Sequence, residues 1–383
     1  MPPPVAGGRI GRDELWPILF GLACATLAQL SLLWDISWHM SIGRDTFATP
    51  PHLGLYLGGG LPGVGFGALV LHTSFFGSPS VRDRSVRVWG LRGPLGVWVA
   101  IWGSVAMLVA APFDAWWHVN YGVDLKAASP PHVVLLLGLA ATHLGAGLLA
   151  AAAINRSVGG GTGLLGSLLS YSMGIMLLVS ALFGIDTGGP AHMHSPIFYV
   201  SAAAAFPVWL VGATTARSRW PATSAALWYT GLRLLMTWVL PLFAATPRLE
   251  PVYVSITHMV PPGLPFLLVV PAIAFDLMNR RSTGRDAWCS ALALGPVFVV
   301  MLAVVQWPFA ELLMRPVARG WLLAADNFPY NLPQATYTAQ HWFIPWSGRL
   351  VPAWLAFLAA VPVAVCSAQV GLWLRAYLRR IQR

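Results

Sequence analysis

The chain has 383 residues, 57% of them hydrophobic and 9% charged. That balance excludes a soluble globular protein and predicts an integral membrane protein. The formal net charge of +10 does not point to a nucleic-acid partner, because the arginines are neither gathered on one polar element nor interleaved with exposed aromatics.

Apolar stretches long enough to cross a bilayer, which takes roughly 20 helical residues, recur along the whole length. In chain order the pattern predicts about ten helices, over 14–40, 52–76, 95–120, 132–154, 164–184, 197–216, 225–246, 262–278, 289–314 and 351–378. The expected fold is an all-α, polytopic transmembrane helix bundle. Leu15 to Leu33 is too long for a signal-peptide core and reads as an uncleaved first helix. Most of the basic residues fall at the N-terminus, the C-terminus and the loops near 77–93, 155–163, 217–224 and 279–288. By the positive-inside rule both termini are expected in the cytoplasm. Cys24, Cys289 and Cys366 each stand alone in apolar surroundings, so a bound metal would have to be held by His and carboxylate.

On this topology His39, His52, His118, His132, His192, His194, His258 and His341 all fall at the outer face, which leaves His72 and His143 elsewhere. Four of them belong to a repeat. "DISWHMSIGRDTFATPPH", from Asp35 to His52, is echoed by "DAWWHVNYGVDLKAASPPH", from Asp114 to His132. Asp35, Trp38, His39, Gly43, Asp45, Pro50, Pro51 and His52 align with Asp114, Trp117, His118, Gly122, Asp124, Pro130, Pro131 and His132, with one extra loop residue in the second copy. Both copies leave on one helix and return on the next, which predicts parallel two-helix repeats. Residues 1–154 then form a duplicated metal-binding unit of four transmembrane helices. Residues 155–383 supply further transmembrane helices and a long outer loop at 315–350.

Asp35 and His39 are four apart, on one helical face, with the aspartate a turn deeper. His52 opens the returning helix straight after Pro50-Pro51, as proline favours the first helical turn. An unpaired aspartate in the bilayer costs roughly 2.5–3.5 kcal/mol at a helix centre. A histidine at a helix N-terminus is pushed toward its neutral form, which binds metal. The same residues would also suit a hydrogen-bonded Asp–His pair or a proton relay. Among metals, two imidazoles and a carboxylate fit non-haem iron, zinc or copper.

These segments resemble the C subunit of the copper-containing membrane monooxygenases, the particulate methane and ammonia monooxygenases. The first is similar to that family's Asp-x-x-Trp-His…Arg-Asp-Thr…Thr-Pro-x-His segment, with the spacing Asp-x3-His-x12-His. The second reproduces the family's Asn-x3-His-x13-His intervals with Asp114 in place of Asn. The resemblance covers about residues 30–140. It implies one copper site at Asp35, His39 and His52 and another at Asp114, His118 and His132, in a bacterial plasma membrane protein that works with other membrane subunits. It also implies dioxygen-dependent oxidation of a small apolar substrate or ammonia. Asp45 and Asp124 are candidates to orient the histidines as outer acceptors.

Further on, "GIDTGGPAHMHSP" offers Asp186, His192, Met193 and His194 as an additional metal set, since thioether favours Cu(I) and imidazole suits Cu(II). His258 is a weaker echo. Gly59, Gly63 and Gly67 form a ladder for close helix packing. Two functional readings follow. One is a copper-dependent membrane monooxygenase or a subunit of one; the other is a copper transport, storage or assembly factor without turnover. Transport needs polar residues that continue to the cytoplasmic end, and the sequence offers chiefly Asp276 there, beside Asn279, Arg280 and Arg281.

Overall fold

The computed structural model describes residues 11–43, 46–121, 129–157, 162–183, 196–248, 257–281, 286–313, 315–318, 320–323 and 353–383. The chain is mostly helical. Helices α1 (Arg12–Ser41) and α2 (Pro50–Phe75) form a first hairpin. A short helix α3 (Pro79–Asp83) and two three-residue strands, β1 (Val86–Val88) and β2 (Leu91–Gly93), lead into a second hairpin, α4 (Leu95–Tyr121) and α5 (Pro130–Arg156). Then come α6 (Thr162–Phe183), α7 (Pro196–Ala205), α8 (Pro207–Ala213), α9 (Pro221–Val239), α10 (Val269–Arg281), α11 (Ala287–Leu313) and α12 (Ala353–Leu378).

Seven of these helices, α1, α2, α4, α5, α6, α11 and α12, are long and apolar enough to cross a membrane. Of the other three expected spans, two are interrupted by proline, and the third is a 19-residue helix that is less apolar, with Arg233 inside it. The stretch expected at 197–216 breaks into α7 and α8 at Phe206, where Pro207 has no N–H to continue the ladder. The stretch at 225–246 begins earlier, at Pro221, and its α-helix ends at Val239. A single 3₁₀ turn through Pro241 follows it. The stretch at 262–278 becomes helical only at Val269, because Pro261, Pro262 and Pro265 hold the chain extended before it.

That extended segment is buried in protein. Non-helical backbone survives at such depth only when every polar group finds a partner. Here side chains supply them. Ser37 donates to the Val260 carbonyl (2.6 Å) and Ser41 accepts from the Val260 N–H (2.7 Å). Arg233 donates to the Gly263 carbonyl (2.8 Å), Tyr229 accepts from the Phe266 N–H (3.0 Å), and Gln306 accepts from the Leu267 N–H (2.9 Å). Asp276 serves the same end from α10. Its carboxylate accepts from the Ala222 and Thr223 N–H groups (3.0 and 2.9 Å) and the Thr223 hydroxyl (2.7 Å), capping α9.

The two hairpins pack as one four-helix unit, in which α1 lies against α2 and α5, and α4 against α2 and α5. The α4–α5 seam is glycine-built. A Cβ on Gly103 would lie 2.5 Å from the Gly138 carbonyl oxygen, and one on Gly145 would lie 2.5 Å from that of Gly96. Gly59 and Gly63 serve α2–α4 packing, as the sequence suggested. The Ser104 hydroxyl accepts from the Gly63 N–H (3.0 Å) and donates to the Gly59 carbonyl. Gly67 meets nothing within 4 Å. Small residues let these backbones approach, and the loop ends of both hairpins converge.

Candidate metal centre

Asp35 and His39 occupy the last turns of α1 on one face. Thr49 precedes α2 in an extended conformation, Pro50 and Pro51 fill its first turn, and His52 follows at once. This brings three donor groups to one point. Asp35 Oδ2 lies 3.8 Å from His39 Nε2, and Asp35 Oδ1 lies 3.2 Å from His52 Nε2. One ligand atom from each of the three lies within 4.8 Å of the others. Metal–ligand bonds of about 2.0–2.2 Å put donor atoms roughly 3–4 Å apart around a shared ion; both carboxylate–imidazole distances fall in that range, and the widest separation needs only a small side-chain adjustment to close on one.

Proton placement strengthens the fit. His52 Nδ1 is 3.0 Å from the Thr46 carbonyl oxygen. A carbonyl only accepts, so Nδ1 carries a proton, which leaves Nε2 turned inward toward Asp35. Asp35 Oδ1 is buried and receives no hydrogen bond, even with His52 Nε2 at 3.2 Å. The two atoms face each other 3.2 Å apart. A cation satisfies both, and a backbone acceptor behind the outer nitrogen is the usual support for a metal-bound imidazole. The Thr46 turn is fixed in its own right. The Thr49 hydroxyl accepts from the Thr46 N–H (2.9 Å) and donates to the Thr46 carbonyl.

Sequence reasoning looked to Asp45 for that orienting role. The group that fills it for His52 is the next residue's backbone, and Asp45 itself lies outside the described residues. The signal was present in the Thr-x-x-Thr-Pro-Pro-His pattern from Thr46 to His52. Side-chain inventory alone does not reveal a carbonyl.

In the second hairpin, Asp114 lies on α4 and His132 opens α5 after Pro130-Pro131. Asp114 Oδ1 stands 3.3 Å from His132 Nε2. His118 lies on α4 one turn beyond Asp114, and its side chain falls outside the described residues. So do Asp124, Asp186, His192, Met193 and His194.

The two ligand sets that the resemblance implies share one space, since Asp35, His39, His52, Asp114 and His132 all line a single cavity of about 340 Å³. The packing of α1 on α5 and of α2 on α4 explains it, because the two loop ends meet across that space. Leu32, Ile36, Leu55, Leu135, Leu136 and Leu182 make the remaining wall apolar. Such a chamber holds donors on opposed walls with little water between them.

Comparison with family models, with curated proteins and with solved structures finds no match for this chain.

Proposed function

We propose that this chain is a membrane copper protein, a monooxygenase or a subunit of one, that takes part in dioxygen-dependent oxidation of a small apolar substrate. The observation that carries the reading is the convergence of Asp35, His39 and His52, whose ligand atoms lie within 4.8 Å of one another on the wall of a largely apolar chamber. Copper heads the affinity order of divalent first-row ions for nitrogen and oxygen donors, while non-haem iron and zinc use the same two imidazoles and a carboxylate, so the choice of copper rests on the family resemblance of the two segments. Asp35, His39 and His52 would hold the ion, which would supply redox chemistry toward dioxygen when bound.

The chain's own groups have distinct tasks. Asp35 brings the negative charge that offsets a cation at the end of a membrane helix. Thr46 holds His52 with its Nε2 turned inward. The leucine and isoleucine wall keeps water from a reactive centre and admits an apolar molecule. Asp114 and His132 provide a second carboxylate–imidazole pair across the chamber.

The test is metal analysis on protein purified in mild detergent, with pulsed electron paramagnetic resonance of the copper form. Wild type should hold stoichiometric copper with imidazole nitrogen couplings, and His39→Ala combined with His118→Ala should lose most of it. Equal copper in both proteins would overturn the assignment. The His39 side chain is 38% exposed at the chamber mouth, and this openness favours a second reading, a copper storage or transfer factor. Membranes carrying the chain and its partners that oxidise a short alkane or ammonia with oxygen, and stop on Asp35→Ala, support the first reading; tight copper binding without turnover supports the second.

A further inference from the structure

The four-helix unit carries a second, larger cavity at the end opposite the metal donors, about 600 Å³ in volume. Its walls come from the start of α1, the end of α2 and the end of α5, with α3 closing one side. Two kinds of surface meet there. Trp16, Leu69, Phe76 and Leu149 give an apolar flank, while on the polar rim Arg84, Arg156 and Arg383 outnumber Asp13 and Glu14. Glu14 neutralises Arg156 (3.2 Å). Arg84 makes no ion pair with a carboxylate among the described residues.

The adjoining β-hairpin adds an independent sign of a missing anion. Arg87 and Arg92 are direct cross-strand partners. Like charges directly opposite each other destabilise a strand pair unless something negative lies over them. Neither is ion-paired with a carboxylate among the described residues. The hairpin is nonetheless held firmly. The Ser74 hydroxyl accepts from the Arg92 N–H (2.7 Å), Arg92 donates to the Arg82 carbonyl (3.0 Å), and Arg82 donates to the Phe75 carbonyl (2.9 Å). At its tip Trp89 is 83% exposed, edge-on to Trp102 of α4 at 5.4 Å. An exposed tryptophan beside arginines, at the end of membrane-length helices, is the composition of a bilayer headgroup layer.

We infer that this end of the hairpin unit binds an anionic phospholipid. Arg84 and the Arg87–Arg92 pair take the phosphate and headgroup, and the flank along Trp16, Leu69 and Leu149 takes the upper acyl chain. The amphipathic lining decides between a lipid and free phosphate, since a soluble anion would leave the apolar half of the cavity wet. Each arginine near an anionic surface strengthens attraction about fivefold.

The experiment uses the full chain in detergent micelles doped with phosphatidylglycerol, phosphatidylcholine or inorganic phosphate, read by native mass spectrometry and by thermal midpoint. Phosphatidylglycerol should be retained and should raise the midpoint, with the other two doing neither. Arg84→Gln combined with Arg87→Gln should lower its retention by about 25-fold, two arginines' worth. Ala68→Leu, on the cavity wall, should weaken retention without altering charge, so the outcome does not depend on one variant folding. Equal retention of phosphatidylcholine, or a double variant that binds as wild type does, overturns the inference. Stabilisation by inorganic phosphate equal to that by phosphatidylglycerol overturns it in favour of a free-anion site.

Discussion

The two hairpins share a spacing but not a finish. In the first, Asp35 and His52 have side chains 13% and 14% exposed, and the histidine is backed by the Thr46 carbonyl. In the second, Asp114 and His132 are 25% and 32% exposed. The difference recurs behind the ligands. Ser37 and Ser41 of α1 are buried against the extended segment at Val260. Trp116 and Asn120, their equivalents on α4, are exposed, and the Asn120 amide donates to its own helix at the Trp116 carbonyl (2.7 Å). A duplicated motif has been set into two surroundings, and the surroundings decide how firmly each copy can grip an ion.

Exchanging each carboxylate for its amide should break the symmetry most visibly. Asp35→Asn removes the negative charge and leaves one weaker amide oxygen in place of two carboxylate oxygens in the buried set. Loss of a mere supporting group costs metal affinity about 10–100-fold, so this weakening of a ligand should exceed about 100-fold. Asp114→Asn should cost less than about tenfold, because a more exposed carboxylate contributes less. The metal-free proteins should rank the other way. Asp35→Asn should melt higher than wild type, since a buried carboxylate oxygen that receives no hydrogen bond gives way to a neutral group. Copper titration by calorimetry and thermal midpoints in chelator measure both arms, and equal affinity losses for the two amides would erase the distinction drawn between the hairpins.

The residue just before each Pro-Pro-His offers a subtler comparison. Thr49 locks the Thr46 turn that orients His52. Its counterpart Ser129 has a buried hydroxyl with no partner among the described residues. Thr49→Val should therefore lower copper affinity by about 10-fold, the lower end for a group that orients a ligand. Ser129→Ala should leave affinity unchanged and stability equal or slightly improved, as removing an unsatisfied buried hydroxyl relieves its desolvation. Competition with a chromophoric copper chelator would read the affinities. A Ser129→Ala loss as large as that of Thr49→Val would mean that the second loop is locked in the same way.

What the sequence made legible was pattern, and what it concealed was partnership. Period and apolar length marked the seven long helices, because membrane helices satisfy their own backbones and need no distant partner. The Asp-x3-His step and Pro-Pro-His start put Asp35, His39 and His52 within reach of one another by helix geometry alone. Spacing did not reveal that Asp114 and His132 face the same chamber. That depends on the packing of α1 against α5 and of α2 against α4, which small residues such as Gly59 and Gly63 permit but do not spell out. The two interrupted spans failed for a related reason. Pro207 and Pro261-Pro262 forbid regular helix, and apolar composition hid this, since Ser37, Arg233, Tyr229 and Gln306 replace the lost ladder bonds from elsewhere in the chain.

The smallest expected effect lies on the face of α1 turned away from the chamber. Ser37 and Ser41 sit two residues beyond Asp35 and His39 respectively, so they point to the opposite side of the helix, where they hold Val260. Ser37→Ala strands the buried Val260 carbonyl, a change of about 1–3 kcal/mol. It should lower the thermal midpoint by a few degrees and reduce copper affinity by no more than about threefold, because the metal donors keep their own supports. Trp116→Leu, at the matching position of α4, should move neither quantity. A thermal shift series with and without copper separates the cases. If Ser37→Ala leaves the midpoint where Trp116→Leu leaves it, the extended segment does not brace the first hairpin, and the firmer grip of that hairpin must come from the Thr46 turn alone.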